Sequence, residues 1–164
     1  MASTKSGIFY VTIHPKFVVG IGGSAGALKA YKALLQALPS NTGMAFVLIP
    51  HIHPTANRQL ARILSNHTKM PVVMVSHALP IQPNQVYVIP SHGNYRVEGY
   101  SFKAASPPLR RNKQIDSFLI SLAQAMGAHA VGIILSGYAG DGAEGCTTSR
   151  QMEEQPLRRT CQPK

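Results

Sequence analysis

Acidic residues are scarce in this chain. Of 164 residues only six are Asp or Glu, against sixteen Lys and Arg, for a formal net charge of +10. The six are Glu98, Asp116, Asp141, Glu144, Glu153 and Glu154. A basic surface favours acidic partners: nucleic acid, anionic lipid or an acidic protein. It also serves solubility with no cognate partner. The basic residues are scattered, with local groups at Arg110-Arg111-Lys113 and Arg158-Arg159. Aromatics of the kind that stack bases are not interleaved with them, so nucleic-acid binding is not expected.

Cysteine is almost absent. Cys146 and Cys161 are the only two, and both lie near the C-terminal end. They do not suggest a disulfide framework, offer no zinc-ligand spacing, and fit a reducing compartment. Long hydrophobic runs are also missing. The segment Ile8 to Ile13 is broken by Tyr10 and Thr12, and no other run approaches bilayer length. No secretory signal is recognisable, so the expectation is a cytoplasmic protein without membrane insertion. There is no internal repeat or low-complexity block.

What is present is a hydrophobic fraction of 45% in 164 residues, enough for one domain with a substantial core. Residues 1–16 read as a leader without a clear period. Phe17 to Ile21, Ala45 to Ile49, Met70 to Val75, Val86 to Ile89 and Val131 to Leu135 are continuous apolar runs of strand length. Between them lie amphipathic helical patterns. Ala27 to Leu38 presents Leu28, Tyr31, Leu34, Leu35 and Leu38 on one face. Asn57 to His67 turns Leu60, Ala61, Ile63 and Leu64 inward, and Ile115 to Met126 carries Phe118, Leu119, Leu122 and Met126. Tyr95-Arg96-Val97 and Tyr100-Ser101-Phe102 flank Glu98-Gly99 as a hairpin. The alternation predicts an α/β fold: a doubly wound, mainly parallel sheet with helices on both faces, plus a small β-hairpin. The domain is expected over 17–145, followed by a polar, basic tail over 146–164.

Ser24 is the most informative residue. It sits in Gly20-Ile21-Gly22-Gly23-Ser24-Ala25-Gly26, between an apolar strand and a helical pattern. A serine on such a turn is presented outward beside the N–H groups of the helix start, as an acyl-transfer nucleophile requires. The same run fits a loose dinucleotide fingerprint, in which glycines admit a pyrophosphate. It also fits a tight turn with no ligand. Two further strands lead to reactive groups: His51, in Ile49-Pro50-His51-Ile52-His53-Pro54, and Asp141, in Gly140-Asp141-Gly142.

Ligands of parallel α/β sheets gather at the carboxyl ends of the strands, so Ser24, His51 and Asp141 are expected at one edge. That is the inventory of a hydrolytic triad, which is recognised by geometry rather than chain order. Histidine accepts the serine proton near neutral pH, and the carboxylate fixes the imidazole tautomer. Each residue has a plainer alternative: Ser24 as a helix N-cap, His51 as an ordinary loop histidine, Asp141 as a turn residue. His51 and His53 invite a metal, but a third ligand is not near in sequence, leaving only Asp141 after folding. The dinucleotide alternative expects an acid at the end of the second strand, and residues 43–53 contain none. No cofactor is therefore expected.

Five segments, in register over Phe17 to Gly145, resemble the catalytic domain of CheB-type chemotaxis methylesterases. They are Gly22-Gly23-Ser24-Ala25-Gly26, Ile49-Pro50-His51-Ile52-His53-Pro54, Tyr87-Val88-Ile89-Pro90, Ile115-Asp116-Ser117-Phe118 and Leu135-Ser136-Gly137-Tyr138-Ala139-Gly140-Asp141-Gly142. The resemblance implies a doubly wound α/β domain that hydrolyses glutamyl methyl esters, with glutamine deamidation as a related activity. Its partner would be the cytoplasmic domain of methyl-accepting chemoreceptors in bacteria. By position Ser24 matches the nucleophile, His51 the base and Asp141 the acid, with the backbone N–H groups of Ala25 and Tyr138 as oxyanion donors.

Three departures from the family pattern stand out. Ala27 replaces a second glycine. Tyr138-Ala139-Gly140 replaces a loop with a smaller or flexible residue, then glycine, then a polar residue beside the acid. After Asp141 the family continues into a longer helix and further elements, whereas this chain turns polar at Cys146. That looks like a truncated or frame-shifted end and would leave a sheet edge or apolar face uncovered. The short leader also leaves no room for a receiver domain, so phosphorylation control in cis is not expected.

Overall fold

The structure is a computed structural model that describes residues 12–91, 93–106 and 113–136. Its frame is a five-stranded parallel sheet. The strands are β1 (Val18–Ser24), β2 (Ala45–His51), β3 (Val72–Met74), β4 (Gln85–Val88) and β7 (Ala130–Ser136), in the order β3-β4-β2-β1-β7. A separate antiparallel hairpin, β5 (Tyr95–Glu98) and β6 (Ser101–Ala104), pairs Val97 with Phe102. The helices are α1 (Leu28–Ala37), α2 (Pro54–Ser65) and α3 (Gln114–Met126). The α/β fold with a parallel sheet and a small hairpin is thus the one the sequence pattern predicts. Among the described residues no helix is long and apolar enough to cross a membrane.

The central strands bury both faces, which is why their apolar runs are continuous rather than alternating. Alternate residues still go to different cores. Val18, Ala45, Val47, Ile49, Tyr87 and Ile89 pack with Phe118, Leu119 and Leu122 of α3. Val19, Ile21, Phe46, Leu48, Val86 and Val88 pack with Tyr31 and Leu35 of α1 and with Leu60 and Leu64 of α2. The hairpin closes over the α3 side. Phe102 lies between Tyr87 and Phe118, with ring centroids 5.0 and 6.3 Å away. α3 stops at Gly127, whose φ of +51° is a backbone setting that favours glycine.

Three boundaries around the site differ from the sequence expectation. β1 runs past Ile21 to Ser24, and β2 runs through Pro50 to His51. Proline is tolerated in β2 because of its position. The Leu48 carbonyl accepts from the Ile89 N–H, so even-numbered residues of β2 face β4. Pro50 lies beyond Val88, the last paired residue of β4, so its missing N–H breaks no paired ladder position. α2 begins at Pro54 rather than Asn57. Proline fits a first helical turn, where its absent N–H has no intrahelical partner to lose.

Candidate functional site

Ser24 and His51 are the last residues of adjacent central strands, and they are direct partners in the β1–β2 register. They also share a face. A Cβ on Gly20 or Gly22 would run into Leu119 or Ile115 of α3, whereas one on Gly23 would meet Ala27 and Tyr31 on the α1 side. Alternation along β1 therefore puts Ser24 on the α3 side. Ala45, Val47 and Ile49 face α3 as well, so His51 follows them to the same side. Both residues are partly exposed. A hydroxyl and an imidazole are thus brought to one edge, on one face, at the carboxyl ends where α/β sheets bind ligands.

The turn after Ser24 is a single 3-10 turn, Ala25–Ala27, leading into α1. Ser24 is extended, with φ −82° and ψ −171°, and its side chain makes no capping hydrogen bond to the turn. The N-cap alternative therefore lacks the bond that defines it. The N–H of Ala25, the expected oxyanion donor, belongs to the first residue of this turn.

Glycines 20 and 22 have a packing explanation. The ideal Cβ at Gly22 falls 2.6 Å from Ile115 Cγ2, and that at Gly20 falls 2.7 Å from Leu119 Cδ2. Their small size lets α3 sit directly on β1, with no need of a pyrophosphate. Ala27 is buried against Gly23, on the face opposite Ser24, so its methyl group does not narrow the approach to the serine. Tyr31 supports the same strand end from behind. Its hydroxyl is 3.3 Å from the Ile21 carbonyl and 3.5 Å from the Ile49 carbonyl. Burial pushes the phenol pKa well above its ordinary value.

The first turn of α3 stands beside the serine–histidine pair and carries polar groups that periodicity alone passes over. Asp116 is only 2% exposed, and its carboxylate lies 3.2 Å from Lys113 Nζ. A buried carboxylate is costly without such a partner. Gln114 is 6% exposed and donates from Nε2 to the carbonyls of Pro90 and Gly93, at 2.9 and 2.8 Å. The sequence signal for these residues is a cluster of polar side chains just ahead of a strongly apolar helix face.

Asp141 and Tyr138, expected as the acid and an oxyanion donor, lie outside the described residues, as do the tail 146–164 and most of the leader. His53 is exposed. Among the described residues no three His, Cys, Asp or Glu side chains gather closely enough to hold a metal ion.

Fold and edge together define a doubly wound α/β domain with a serine and a histidine side by side at the carboxyl edge of its sheet. The chain belongs to the CheB methylesterase family, which its residues 19–156 match. The protein-glutamate methylesterase/protein-glutamine glutaminase of Hydrogenovibrio crunogenus is 32% identical over 134 residues, covering 78% of this chain and 35% of that protein. The protein-glutamate methylesterase FrzG of Myxococcus xanthus is 32% identical over 140 residues, covering 84% of this chain and 42% of that protein. The chain therefore spans well under half the length of these curated relatives. The crystal structure of the Thermotoga maritima CheB methylesterase catalytic domain superposes with a TM-score of 0.72. It covers 83% of this chain and 75% of that one at 20% identity, a likeness of fold.

Proposed function

We propose that this chain is a protein-glutamate methylesterase acting on the cytoplasmic domain of methyl-accepting chemoreceptors, and that it works with Ser24, His51 and Asp141 and without a cofactor. The observation that carries the proposal is the register pairing of Ser24 with His51 on one face of the sheet, within a CheB-family chain. The net charge of +10 suits an acidic receptor helix.

The chemistry follows from the residue types. His51 takes the Ser24 proton as Oγ attacks the ester carbonyl, forming a tetrahedral oxyanion. Backbone N–H groups of Ala25 and Tyr138 receive that oxyanion, and a donor of this kind is worth about a hundred- to a thousandfold in rate. His51 then protonates the departing methoxide, giving methanol and a glutamyl-serine ester. Water, deprotonated by His51, cleaves that ester and restores Ser24 and a free glutamate. Asp141 holds the imidazole and balances its charge in both halves. With glutamine in place of the ester, the same steps release ammonia.

The test is methanol release from a methylated chemoreceptor fragment by wild type and Ser24→Ala. Release by the wild type alone supports the reaction and the nucleophile. Equal background from both leaves a methylesterase-like interaction module without turnover.

A further inference from the structure

Beyond Ser24 and His51, a third strand end converges on the same level of the sheet. β4 pairs with β2 through Leu48 and Val88, and the Ile89 N–H still reaches the Leu48 carbonyl. Counting on, Ser91 falls level with His51, on the opposite side of β2 from Ser24. There the chain turns, closed by the Gly93 N–H on the Pro90 carbonyl at 2.9 Å. Two observations single this turn out. Gln114 clamps it from the first turn of α3, through two hydrogen bonds from one amide nitrogen. Ser91 Oγ is the only buried side-chain nitrogen or oxygen among the described residues without a hydrogen-bond partner. A buried polar atom left unpaired in a clamped turn needs an explanation, because folding normally pairs such atoms.

We propose that the Pro90–Gly93 turn is a wall of the substrate cleft, in which the Ser91 hydroxyl hydrogen-bonds a polar side chain of the bound polypeptide and Gln114 is the positioning residue that holds the turn. The identity of that polypeptide as a receptor helix rests on the methylesterase proposal. A helix satisfies its own backbone groups internally, so it offers side-chain carboxylates and amides to its partner. A serine hydroxyl donates to the first and both donates to and accepts from the second. To reach such a group the Ser91 side chain must leave the χ1 rotamer that buries its Oγ. Because Ile115, next to Gln114, packs on Gly22, the same helical turn fixes the distance between this wall and Ser24.

The test uses direct binding, so that turnover is not required. A chemoreceptor fragment with glutamine at its modification site is titrated into Ser24→Ala, Ser24→Ala/Ser91→Ala and Ser24→Ala/Gln114→Leu, with anisotropy as the readout. Ser91→Ala is expected to weaken binding by about three- to tenfold, the worth of one hydrogen bond. It should not lower the thermal midpoint, because it deletes an unpaired oxygen. Gln114→Leu should weaken binding at least as much.

In the active protein the loss should fall in KM rather than kcat. Equal binding by all three proteins, a fall in kcat alone, or no binding by the Ser24→Ala parent overturns the proposal. Should the wild type show no Ser24-dependent turnover while Ser91→Ala still weakens binding, the wall stands and the methylesterase proposal fails.

Discussion

The Tyr31 hydroxyl lies 2.8 Å from the point where a Cβ on Gly23 would stand. The residue before the candidate nucleophile is therefore glycine because α1 presses on the strand end from behind. Ala27 occupies the rest of the space. Gly23→Ala is expected to cost about 1–3 kcal/mol, as overpacking in a close-packed core does. The shift should also move Ser24 out of register with His51. Urea denaturation measures the first effect. A variant as stable as the wild type would show that α1 yields without strain.

Tyr31 itself gives a pH prediction. Burial raises its pKa above the ordinary value of 10.0. The folded state then holds the phenolic proton at pH values where the unfolded chain releases it. The stability associated with the neutral phenol is complete below about pH 10 and declines as pH rises from there towards the folded-state value. Tyr31→Phe removes a titrating group, so its stability should fall less steeply above pH 10 than that of the wild type. At neutral pH the same change should cost about 0.5–1.5 kcal/mol for the lost hydroxyl contacts. Parallel slopes for the two proteins in alkaline denaturation would refute the assignment.

On the other face, Gly22 is held small by Ile115, 2.6 Å from an ideal Cβ. Gly22→Val should destabilise by about 1–3 kcal/mol or more, since the contact is with a branched side chain on a packed helix. Gly22→Val/Ile115→Ala should recover part of that loss, because the second change empties the space the first one needs. A double-mutant cycle in urea reads the coupling. Simple additivity would mean that α3 does not rest on Gly22.

Much of this was legible in the sequence, for physical reasons. The apolar runs of β1, β2 and β4 could be read because both faces of a central parallel strand are buried, and the α1 and α3 stripes because each helix meets the sheet on one side. Ser24 and His51 were legible because each ends such a run. Their pairing as neighbours was not, since it depends on strand order, and periodicity carries no strand order. Pro50 and Pro54 hid the true ends of β2 and α2, because proline signals a break except at an unpaired strand position or a first helical turn. The Gln114 clamp stayed hidden because it joins Pro90 and Gly93 to α3, which are far apart in the chain.

The register of Ser24 with His51 leads to the most direct test of shared chemistry. Under the methylesterase proposal the two act in one proton transfer, so each is of little use without the other. His51→Ala should lower kcat for methanol release by about a hundred- to ten-thousandfold, the worth of a positioned general base. Ser24→Ala should abolish the covalent route. The double variant should be no slower than Ser24→Ala alone, because the acyl-serine route that His51 serves is already closed. Losses that multiply in the double variant would show that the two residues act independently, despite standing side by side at the edge of the sheet.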